Sequence, residues 1–176
     1  EEVDFAAVME RLRRIRAEIS AHDSATRYRD EFGVDVYLGE ATFTGRRSIS
    51  VVGDDGRRRE LSFSRAVIAV GARAAAPPIP GLDTVDYLTN ETLFNLTERP
   101  ESLIVLGAGP IGCEIAQSFA RLGTRVEVVE LASRIMPRED EDAATAVRDA
   151  LAADGVTFHL GAAVGEVRAA REDRGE

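Results

Sequence analysis

The stretch VLGAGPIGCEIAQSFARLGTRVEVVE, from Val105 to Glu130, constrains the fold more than any other part of this chain. Its glycines, Gly107, Gly109 and Gly112, follow the apolar run SLIVL and precede a segment with helical periodicity. Gly107 stands where a strand has to turn sharply, Gly109 leaves room for a close neighbour of the backbone, and Gly112 lets helix and strand pack tightly. Pro110 and Ile111 open the helix, where a missing N–H costs little, and Gly123 closes it. The following strand, RVEVVE, ends in Glu130. A glycine turn alone fits two readings: a junction with no ligand, or a cradle for a dinucleotide pyrophosphate at the positive end of a helix. The strand before, the helix after and an acid about 20 residues on select the second. Glu130 is then placed to accept hydrogen bonds from the adenosine ribose hydroxyls. The same carboxylate repels a ribose 2′-phosphate, which favours NAD over NADP, while Arg134 and Arg138 are the nearby cations that would soften the preference. Adenine-ligand domains of the methyltransferase kind also combine a glycine turn with a strand-end acid and are the competing reading.

Around this motif the pattern is strand, helix, strand, helix, strand. DEDAATAVRDALAADG reads as a helix ending at Gly155, and VTFHL as the third strand. That order predicts a Rossmann-like, doubly wound parallel α/β sheet from residue 101 onward. Upstream, DFAAVMERLRRIRAEI predicts a helix with Val8, Leu12, Ile15 and Ile19 on one face and its arginines on a solvated side. Residues 34–43 read as a strand, and 48–63 as a β-hairpin turning at Asp54-Asp55-Gly56. AVIAVGA, 66–72, reads as a strand buried on both faces, and APPIPG, 76–81, as a linker.

Composition excludes several function classes. The net charge of −9 opposes general nucleic-acid binding, and no apolar run is long enough for a membrane-spanning helix. All 22 cationic residues are arginine, so no Schiff-base lysine can come from this chain. A lone cysteine, Cys113, forms no internal disulfide and suits a small packing role. His22 and His159 lack metal-ligand spacing; His22 is expected at a helix boundary and His159 in a strand with a local partner. The acids of REDEDA, 138–143, read as complements of a helix dipole rather than a metal cluster. A cytoplasmic setting is expected, and a start at Glu1-Glu2 suggests an internal piece of a longer protein.

AVIAVGARAAAPPIPGLD followed by SLIVLGAGPIGCEIAQSFARLGTRVEVVE resembles the flavin-dependent pyridine nucleotide–disulfide oxidoreductases, the family of dihydrolipoamide dehydrogenase and mercuric reductase. The opening forty-odd residues look most like the mercuric reductase branch. The resemblance implies that residues 1–100 are part of an FAD-binding domain lacking its N-terminal glycine motif, and that residues 101–176 begin an NAD(P)-binding domain. It implies that the Ala41 backbone meets the FAD adenine, and that Gly71 packs near the flavin nucleotide. Val70 stands where the family has threonine, which removes one hydroxyl contact. Glu114 matches an acid facing the reactive edge of the flavin, paired in the family with a lysine upstream of this chain; otherwise Glu114 reads as an acid complementing the helix dipole. Pro110 replaces a tyrosine that gates the flavin in many members. The family's redox cysteine pair would precede this chain, while its catalytic histidine and dimerisation domain would follow. FAD and NAD, with NADP possible, are the implied cofactors. The electron acceptor stays open among a disulfide, a metal ion, a quinone and oxygen. The alternatives are a non-enzymatic dinucleotide-binding module and a flavin NADH dehydrogenase without redox cysteines, and little turnover is expected from these residues alone.

Overall fold

The structure is a computed structural model and describes residues 3–169. By internal contacts it divides into two compact units: Arg14–Arg73, and a second made of the chain up to Arg13 together with the chain from Ala74 onward. The expected division into 1–100 and 101–176 follows the cofactors rather than these internal contacts.

The first helix, α1, spans Phe5–His22, so His22 does sit at a helix boundary. Its buried residues are Phe5 and Met9, with Leu12 partly buried against the same core, whereas Val8 and Ile19 are exposed. The expected face is therefore rotated. Both sets have helical spacing, and the Phe5 ring decides between them by meeting Phe119 at 5.9 Å between centroids.

In the unit Arg14–Arg73, α2 covers Ala25–Asp30, with the Ser24 side chain accepting from the Arg27 N–H at its N-terminus. Three strands follow, β1 (Glu40–Gly45), β2 (Ser48–Val52) and β3 (Arg58–Ser62), as an antiparallel meander in that order. The turn at 54–56 forms as expected: Gly56 takes φ +72°, and its N–H bonds the Gly53 carbonyl at 2.9 Å. The strand expected over 34–43 begins only at Glu40.

Residues 66–72 form no strand. Val67 and Val70 are 91% and 88% exposed, against the expectation of a strand buried on both faces. An interior parallel strand needs neighbours to complete its hydrogen bonds and layers to cover its faces. None of the described strands pairs with this segment.

The other unit carries the predicted β-α-β-α-β order: β4 (Ser102–Leu106), α3 (Pro110–Arg121), β5 (Arg125–Glu130), α4 (Glu141–Ala153) and β6 (Thr157–Leu160). The strands are parallel in the order β4-β5-β6, with Val105 opposite Val128, and Val128 opposite Phe158. Leu103, Val105, Val126, Val128 and Phe158 share a core with Cys113, Ala116, Phe119, Ala144 and Leu151 of the two helices. Alternate residues point the other way, and there Ile104 is 65% exposed. Strand β4 is thus half-buried rather than fully buried, because both helices pack on one face.

Both helices end in the same device. After α3 the Gly123 N–H bonds Ala120 and the Thr124 N–H bonds Phe119; after α4, Gly155 bonds Ala152 and Val156 bonds Leu151. These paired bonds satisfy the last carbonyls and reverse the chain straight into the next strand. Asp140, in the acidic stretch 138–143, caps α4 by accepting from the Asp142 and Ala143 N–H groups. Among the described residues no helix is long and apolar enough to cross a membrane.

Candidate dinucleotide-binding site

The glycine turn joins β4 to α3. Gly107, at φ +98°, reverses the chain, and its N–H bonds the Val129 carbonyl at 2.8 Å. At Gly112 a Cβ would stand 2.1 Å from the Gly107 carbonyl oxygen and 3.5 Å from Val105 Cγ1, so only glycine lets helix and turn approach this closely. Gly109 behaves differently. Its φ of −73° suits any residue, and a Cβ there would meet nothing within 4 Å. Steric need inside the protein explains Gly107 and Gly112 but not Gly109, whose bare backbone faces open space.

Pro110 is the first residue of α3, and Gly109 at the N-cap provides no side-chain cap. The Cys113 N–H closes the first helical bond to Gly109. The N–H groups of Gly109, Ile111 and Gly112 have no protein acceptor among the described residues. Unpaired donors at the positive end of a helix bind anions.

Glu130 ends β5 beside this turn. One carboxylate oxygen, Oε2, accepts from the Ala108 N–H at 2.7 Å, and Oε1 accepts from the Ala132 N–H at 2.8 Å. Ala108 is fully buried, and its carbonyl accepts from the Met136 N–H at 2.8 Å. Met136 adopts φ +44°, the one described non-glycine residue with positive φ. Sequence reasoning placed Glu130 here but missed Ala108, Ala132 and Met136 as its companions. No side-chain chemistry marks them, since all three act through backbone groups.

Arg134 has a role the sequence did not disclose. Its guanidinium donates to the carbonyls of Met136, Pro137 and Glu139 at 2.9–3.1 Å, cinching the loop after β5. Arg138 is exposed and makes no ion pair among the described residues.

Glu114 is exposed on α3 and likewise makes no ion pair among the described residues. It lies past the first turn, which holds no acidic residue, so the helix dipole does not account for it. Cys113 is buried, with Sγ 3.5 Å from the Ala108 carbonyl. Burial pushes its thiol pKa up, and the charges of Glu130 and Glu114 add to the shift. Such a thiol is a packing group, not a reactive one. His159 pairs with Glu127 at 2.8 Å, the local partner expected for it.

In the other unit, Ala41 lies in β1 opposite Val51, exposed at the edge of the meander. Gly71 has φ +70° with nothing near its missing Cβ.

Residues 5–174 match the pyridine nucleotide-disulphide oxidoreductase family. Mercuric reductase of Streptomyces lividans is 37% identical over 152 residues, 85% of this chain and 31% of that protein. Dihydrolipoyl dehydrogenase of Bacillus subtilis (strain 168) is 36% identical over 135 residues, 76% of this chain and 29% of that protein. Among solved structures, the Cu(II) complex of a mutant of the HOCl-induced flavoprotein disulfide reductase RclA from Escherichia coli superposes with a TM-score of 0.82 at 32% identity. The superposition covers 97% of this chain and 38% of that one. The chain spans less than a third of the length of the two curated relatives. With its glycine turn, its parallel sheet and these relatives, this chain belongs to the pyridine nucleotide-disulphide oxidoreductase family.

Proposed function

We propose that the protein containing this chain is a flavin-dependent oxidoreductase, and that residues 101–176 bind the nicotinamide dinucleotide that exchanges hydride with the flavin. The supporting observation is the contrast within the turn. Gly107 and Gly112 are required by the fold, while Gly109 is required only by whatever approaches it, beside three unpaired N–H groups. A pyrophosphate fits that cradle in charge and in donor count. Each oxygen of Glu130 keeps a second lone pair for a ribose hydroxyl. Its charge, with Arg134 spent on backbone carbonyls, disfavours a 2′-phosphate, so NADH is the preferred nucleotide.

Residues 1–100 contribute part of the FAD site, through the Ala41 backbone and the glycine at 71. When bound, the flavin supplies the two-electron chemistry. The residues of this chain bind and orient: the turn holds the phosphates, Glu130 the ribose, and Glu114 lies where nicotinamide meets flavin. A disulfide or a metal ion, the acceptor classes in the relatives' names, would be the redox partner of that flavin.

An absorbance spectrum of the full-length protein, before and after anaerobic NADH, tests the assignment. A flavin band that bleaches with NADH, and far less readily with NADPH, is the expected result. A protein with no flavin, or a flavin that neither nucleotide reduces, would overturn it.

A further inference from the structure

We infer that Glu130 is a positioning residue for the phosphate-receiving turn, beyond any grip on the ribose; the inference rests on the dinucleotide reading above. A carboxylate reserved for ribose has no need of protein donors. This one takes two: the Ala108 N–H at 2.7 Å and the Ala132 N–H at 2.8 Å. Ala108 is 0% exposed, so its N–H has no water to turn to and needs a protein acceptor.

The Ala108 residue is held from its other side as well. Its carbonyl receives the Met136 N–H at 2.8 Å, from a loop that Arg134 cinches through three carbonyls. The residue before it is tied to β5 by the Gly107–Val129 bond. Apart from the contacts of α3 itself, through Cys113 and Gly112, the restraints on the turn come from β5 or the loop after it, and Glu130 joins the two. The peptide so held is the one that carries the Gly109 N–H, so its plane sets the direction of the first of the unpaired donors.

The chemistry asks for a carboxylate. Two acceptor oxygens serve two N–H donors, whereas a glutamine offers one oxygen and turns an NH2 group against the second donor. Glu130→Gln thus leaves a backbone N–H without an acceptor, although its size is unchanged.

Two readouts on the full-length protein test this. The first is amide hydrogen exchange without nucleotide, where Glu130→Gln is expected to speed exchange at Ala108 or Ala132 by about tenfold or more. The second is the affinity for an NADH analogue lacking both adenosine-ribose hydroxyls, expected to fall about tenfold in the variant even though the acid has no ribose hydroxyl left to hold. Unchanged exchange at both amides would overturn the inference. So would a variant that loses affinity for NADH alone and binds the analogue as the unmodified protein does. If Glu130→Gln does not fold, Glu130→Asp, too short to span both amides, is expected to give the same two changes and is judged by the same criteria. Failure of the unmodified protein to bind NADH would sink the dinucleotide reading, and the exchange comparison would still decide whether Glu130 holds the turn.

Discussion

At the scale of single residues, the three glycines of the turn are alike in sequence and unlike in what they do. Gly112 is a packing glycine. A methyl group there collides with the Gly107 carbonyl, which is backbone and cannot swing aside. Gly112→Ala is expected to cost about 1–3 kcal/mol or more in stability and to abolish nucleotide binding with it. Gly109 faces open space in a conformation that alanine adopts freely. Gly109→Ala is expected to leave stability within about 1 kcal/mol while weakening NADH binding about tenfold or more, since the methyl occupies the phosphate's approach. Thermal unfolding and calorimetric titration of the two variants separate these effects. Equal losses of stability would contradict the distinction.

At the scale of elements, α3 and α4 are joined through one acid. Asp154, at the C-cap of α4, accepts from Arg121 Nε at 2.9 Å and from the Gln117 side-chain amide at 2.7 Å, both on α3. The Arg121 guanidinium, and after it the Gln117 amide, hold the Asp154 carboxyl below its usual range. A carboxyl whose pKa is lower folded than unfolded stabilises the fold above the unfolded value, near 3.9 for aspartate. That contribution is lost as pH falls through the folded value. Asp154→Asn is therefore expected to lower the melting temperature at neutral pH and to narrow its gap from the unmodified protein in acid. Melting curves over the acidic range check this. A gap that stays constant would mean that the charge of Asp154 is irrelevant to the pairing of the helices.

At the scale of the whole molecule, the segment expected as a buried strand over 66–72 contributes the most exposed large apolar side chains among the described residues, Val67 and Val70. Val67, Ile68 and Val70 stand 70–91% exposed in a segment written like a buried strand. An extended apolar segment with unpaired backbone groups invites association. A polypeptide of these 176 residues is expected to self-associate with rising concentration, and Val67→Thr with Val70→Thr to reduce that association. Sedimentation velocity distinguishes the two. A monomer at all concentrations would show that this surface is not adhesive.

The local sequence by itself determined the parallel β-α-β-α-β unit, the meander turn at Gly56, the helix stops at Gly123 and Gly155, and the glycine turn with its strand-end acid. Each leaves a local mark in the sequence, an apolar period, a glycine at positive φ, a cap, a missing N–H or an acid at the end of a strand, even where the pairing it leads to, such as Leu103 with Val126, is long-range. Tertiary structure alone decided which face of α1 is buried, because Val8 and Met9 are both apolar and the choice falls to the core that receives Phe5 and Met9, Phe119 and Leu93 among it. It alone decided that 66–72 stands open, because an apolar run states a need for neighbours without supplying them. It also decided what surrounds Glu130. Ala108, Ala132 and Met136 reach that carboxylate or its neighbouring peptide through backbone atoms. Backbone atoms are the same at every position, so their partners appear only when the chain has folded.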